Sequence, residues 1–85
     1  MTISRLSADE VAVALHTAGY SIEAIEYTNH KRSVEASVKK NGEMQIFEAW
    51  TEDITVDELA AEAERKFRPG YVVQIGLVPM SMVLA

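Results

Sequence analysis

The chain has 85 residues, thirteen of them acidic and eight basic, for a formal charge of −5 at pH 7, and it contains no cysteine. That length suits one compact domain spanning 1–85 with a small core and a narrow stability margin. The missing cysteine excludes disulfides, zinc fingers, iron–sulfur clusters and thiol nucleophiles and fits a reducing compartment, while 48% apolar and 25% charged residues exclude a disordered or fibrous chain.

Residues 1–6 hold one arginine and no apolar stretch, unlike a secretory signal, so a cytoplasmic location is expected. Ser7-Ala8-Asp9-Glu10 reads as a capping box, with Leu6 and Val11 at the staple positions. Val11, Ala14, Leu15 and Ala18 follow at helical spacing, and Gly19 offers a left-handed stop, which predicts a helix over 8–18. The period then changes to two. Ile25 and Tyr27 alternate with Glu26 and Thr28, residues 29–32 form a turn, and Val34, Ala36 and Val38 alternate with Glu35, Ser37 and Lys39, as in half-buried strands.

Asn41-Gly42 is the strongest hairpin signal in the chain. It leads into a third strand over 43–51, with Met44, Ile46 and Trp50 on one parity and Phe47 and Ala49 on the other. A two-residue turn places Phe47 and Ala49 beside the valines; a three-residue loop moves the register by one and places Met44, Ile46 and Trp50 there. A second capping box, Thr55-Val56-Asp57-Glu58, opens a helix that runs to about Phe67, with Ile54 and Leu59 as its staple and Leu59, Ala63 and Phe67 on its inner face. Glu62 with Lys66 and Glu64 with Arg68 are spaced as outward pairs. Pro69-Gly70 ends the helix, and 71–78 reads as a fourth strand that 80–85 extends beyond Pro79 as an edge segment. The apolar run 71–85 is interrupted by Gln74, Gly76 and Pro79 and is too short to span a bilayer, so no membrane role is expected.

The order α-β-β-β-α-β predicts an α+β domain, an antiparallel sheet with both helices packed on one face. Over about residues 7–67 this order resembles that of double-stranded RNA-binding domains, which makes a nucleic-acid-binding domain one alternative reading. The basic cluster that those domains carry at the start of the second helix is Asp57 and Glu58 here, and the acidic balance argues against nucleic acid as a partner.

Neither His16 nor His30 has the carboxylate or ligand partners that catalysis or metal binding requires at a recognisable spacing. The four glycines are scattered and form no phosphate-cradling loop. No catalytic, cofactor-binding or metal-ligating residues are therefore expected, and the chain reads as a non-enzyme.

Charge is the most informative surface feature. Residues 43–64 hold eight acids and no base, whereas 65–85 hold three bases and no acid. Such an acidic block suits a small protein-binding module, an inhibitor or adaptor that covers a basic surface of another protein, including a nucleic-acid channel. Antitoxins, immunity proteins and phage-encoded inhibitors of restriction or CRISPR complexes share this size and charge. The expected contact residues are Glu48, Glu52, Asp53, Asp57, Glu58 and Glu62, with Phe47 or Trp50 as the anchor. The alternative is a homo-oligomeric structural or assembly protein, a homodimer through the C-terminal strand, in which the acids only solvate the outside. A third possibility for the apolar tail is that 80–85 folds over the exposed face of the third strand.

Overall fold

The computed structural model describes residues 4–79. Helix α1 (Ala8–Thr17) is followed by strands β1 (Ser21–Thr28), β2 (Ser33–Lys40) and β3 (Glu43–Trp50), helix α2 (Val56–Arg65) and strand β4 (Val72–Ile75). The sheet order is β1-β2-β3-β4. The first three strands are antiparallel, whereas β4 runs parallel to β3, so the sheet is mixed where the element order predicted an antiparallel one. A chain that leaves the end of β3, crosses in a helix and returns to the neighbouring position arrives in the same direction, which is why α2 makes β4 parallel.

Both helices start as their sequences dictate. Ser7 Oγ accepts from the Glu10 N–H while the Ser7 N–H donates to the Glu10 carboxylate, and Thr55 with Glu58 repeats the arrangement. The staple residues Leu6, Val11, Ile54 and Leu59 are all buried. Helix α1 ends at Gly19, whose φ of +94° favours a residue without Cβ. Lys40 Nζ donates to the freed Ala18 carbonyl at 3.1 Å, a cation at the negative end of the helix. Helix α2 stops two residues short of Phe67, which still packs against the core.

Asn41 and Gly42 have φ of +53° and +79°, the two left-handed residues of a tight hairpin. Lys40 lies opposite Glu43, so Val34, Ala36 and Val38 share a face with Ala49, Phe47 and Gln45. Helices α1 and α2 cover that face. Between them Tyr20 meets Phe47 edge to face at 5.2 Å and donates its hydroxyl to the Ala63 carbonyl at 2.9 Å. Burial, and to a lesser degree the Glu64 carboxylate, pushes the Tyr20 phenol up to about 12. No helix among the described residues is long and apolar enough to cross a membrane.

Candidate functional site

Among the described residues, no helix lies on the other face of the sheet. That face presents Glu26 and Thr28 from β1, Glu35, Ser37 and Lys39 from β2, Met44, Ile46 and Glu48 from β3, and Val72 and Gln74 from β4, as the pairing registers require. Glu26 lies directly opposite Glu35, and Glu35 directly opposite Glu48. Three carboxylates on adjacent strands thus form a row, each about 5 Å from the next at the backbone. Gln74 continues the row on β4.

Among the described residues, no cation answers this row. Four ion pairs occur among the described residues, Arg5 and Arg32 with Glu52, Lys39 with Glu23, and Lys66 with Glu62, and none involves Glu26, Glu35 or Glu48. Lys39, on the same face, is turned to Glu23 at 3.4 Å. Glu48 receives only neutral donors, Gln74 Nε2 at 2.8 Å and Asn29 Nδ2 at 3.3 Å. A hollow of about 160 Å³ bounded by Ala24, Glu26, Glu35 and Ser37 opens beside the row. Like charges opposite one another across strands are destabilising, so the arrangement weakens the isolated protein. Among the described residues no three of His, Cys, Asp or Glu form a group that could hold a metal ion.

The acidic block of 43–64 does not form a single patch. Glu52 is 12% exposed at its side chain and is held by Arg5 and Arg32, each at 3.1 Å. Glu58 is occupied as the cap of α2. Glu62 accepts from Lys66 and from the Gly76 N–H; burial alone would raise its pKa, but these donors and the charge of Arg65 outweigh it and hold the carboxyl below its usual range. Asp53 and Asp57 are exposed and have no cation within 4 Å among the described residues. Of the expected contact residues, only Glu48 lies in the cross-strand row.

The two expected anchors do not reach the surface. Phe47 is wholly buried beneath the helices, because the two-residue turn puts it on the covered face. Trp50 has the parity of the open face but is only 3% exposed, and its indole N–H has no acceptor among the described residues. Gly76 packs so closely on the Trp50 backbone that a Cβ there would collide with the Trp50 carbonyl. The large apolar groups that do reach the surface near the open face and β4 are Met44, Tyr71, Val72 and Leu77. Segment 80–85, expected to extend the last strand or to fold over the third, lies outside the described residues.

His16 and His30 are exposed and distant in role from the row, the first on α1 and the second in the β1–β2 turn with φ of +56°. Glu26 and Glu35, which the register brings into the row with Glu48, were not among the residues expected from the sequence. Their signal was the alternation of β1 and β2, but only the register between strands brings them together. Comparison with known proteins finds no match to a family model, to a curated protein or to a solved structure.

Proposed function

We propose that the protein is a non-enzymatic protein-binding module, an inhibitor or adaptor whose open sheet face covers a basic surface of a partner. The observation that carries this reading is the row Glu26, Glu35 and Glu48 on the open face, with no cation paired to it among the described residues. A lysine or arginine side chain entering the hollow between Glu26 and Glu35 relieves their repulsion and gains charge-assisted hydrogen bonds. Met44 and Val72, 45% and 62% exposed, supply apolar area beside the charges. Spaced carboxylates also mimic a phosphate backbone electrostatically, so a nucleic-acid channel of an enzyme is a fitting target.

The test compares the wild type with Glu26→Lys and Glu35→Lys combined in affinity capture from lysate, salt being raised in steps. A discrete protein held by the wild type, released by a few hundred millimolar salt and lost in the variant, supports the reading. Equal capture by both overturns it. An assembly subunit is the second reading, favoured by Tyr71, Val72 and Leu77, each more than half exposed. Sedimentation of the purified chain separates the two, since a stable oligomer insensitive to the charge changes belongs to the second alone.

A further inference from the structure

The charge of the molecule reverses at the junction of α2 and β4. Arg65, Lys66 and Arg68 follow one another closely in sequence and line a cleft of about 470 Å³ with Tyr71, Val72 and Val73. Lys66 is paired with Glu62 at 3.0 Å. Neither Arg65 nor Arg68 has a carboxylate within 4 Å among the described residues. A base in the last turn of a helix complements the dipole, which accounts for Arg65. It does not account for Arg68, which lies beyond the end of α2 with its guanidinium 4.4 Å from the centroid of the Tyr71 ring.

The wall of the cleft is pre-organised from below. Gln45 is 1% exposed; its Oε1 accepts from the Arg68 N–H at 2.6 Å and its Nε2 donates to the Tyr71 carbonyl at 2.8 Å. The segment between helix and strand is therefore tied to β3 by one buried amide, and a ligand need not order it.

The cleft borders β4, an edge strand. The two edges of this sheet differ. Strand β1 carries a bulge between Ile22 and Ala24 and the acids Glu23 and Glu26, features that discourage pairing with a foreign strand. Strand β4 is Val-Val-Gln-Ile, without bulge or charge, and no strand pairs with its outer edge among the described residues.

We infer that β4 and the arginine cleft together bind an extended acidic peptide segment of a partner protein, added as a further strand beside β4 with a carboxylate side chain between Arg65 and Arg68. The edge supplies main-chain hydrogen bonds and the cleft supplies the preference for acid, the division of labour in strand addition. A nucleic acid would meet the same cations but would gain nothing from the strand edge and would face a chain of net charge −5. A second copy would offer its own uncharged β4 and leave the arginines unanswered. The arginines and the β4 edge are distinct from Glu26, Glu35 and Glu48, and only Val72 is shared with the open face, so loss of binding in the arginine variant leaves that row's reading standing.

Fluorescence anisotropy with a labelled peptide of alternating glutamate and valine tests the inference. The acidic peptide binds and its lysine–valine counterpart does not. Arg65→Gln with Arg68→Gln weakens binding about tenfold or more, the worth of one charge-assisted hydrogen bond, and Val72→Lys weakens it through the edge. Amide resonances of residues 72–75 shift on binding. The inference is overturned by absence of binding, by unchanged affinity in the folded arginine variant, by equal binding of single-stranded oligothymidine, or by a dimer that buries the β4 amides.

Discussion

On the covered side of the β2–β3 hairpin, Val34, Ala36, Val38, Phe47 and Ala49 expose no surface at all. The opposite side of the same two strands carries Glu35, Ser37, Lys39, Met44 and Glu48. One side is arranged for the stability of this chain alone. The other keeps like charges adjacent, which an isolated domain gains nothing from. The difference separates the side that the fold needs from the side that it does not, and it locates the candidate site where the rules of stability are broken.

Breaking the covered side has the largest expected effect. Phe47→Ala removes the largest of the fully buried side chains and should destabilise the protein by about 3–5 kcal/mol, much or all of the margin of a domain this small. Urea unfolding followed through Trp50, the single tryptophan, measures it; a loss below about 1 kcal/mol would mean that the helices do not seal this side.

Tyr20 sharpens the comparison with a smaller effect and a pH signature. Its folded-state value near 12 lies above the ordinary 10.0 of an unfolded tyrosine, so the folded state holds the phenolic proton more tightly. The resulting stability is complete below pH 10 and is lost as the pH rises through 12. Tyr20→Phe should cost about 1 kcal/mol near neutrality by deleting the bond to Ala63, and should remove this share of the alkaline loss. Thermal melts between pH 8 and 12 of both proteins, with ultraviolet titration of the phenols, provide the check.

The open side gives the smallest effect, with the opposite sign. Glu35→Gln relieves repulsion from both Glu26 and Glu48 and should stabilise the protein by about 0.2–1 kcal/mol, more at low salt than at high. Destabilisation instead would show that the row is held by something internal to the chain.

What sequence made legible was local. Each capping box is a bond pattern within four residues, and Asn41-Gly42 carries its own backbone preference, so both helix starts and the hairpin appear where expected. The α+β class and the placing of both helices on one side followed from the alternation. The turn left two registers open, and the observed Lys40–Glu43 pairing selects the one that buries Phe47. Strand β1 begins at Ser21, earlier than its alternation announces, because the bulge between Ile22 and Ala24 interrupts the period.

The fold disperses the acidic block for a physical reason. Consecutive acids diverge when a strand alternates its faces and the chain then crosses to the helical layer, so Glu48 and Glu58 end on different structures with different duties. Conversely, Glu26, Glu35 and Glu48 are distant in sequence and adjacent in space. The parallel direction of β4 was equally invisible to local patterning, since it depends on the path of the chain over the sheet.

That path has a kinetic consequence. Strands β1 to β3 are joined by short turns, so their hairpins close on roughly the microsecond scale. The pairing of Ile46 with Val72 must wait until α2 has formed and docked, with the larger loop-closure entropy that a distant contact carries. Strand β4 is thus the last part of the sheet to join and the first to release. Release of β4 would bare the β3 edge to the β4 of another molecule, so strand exchange is the misassembly expected of this topology at high protein concentration, to be seen as dimer in sedimentation after refolding.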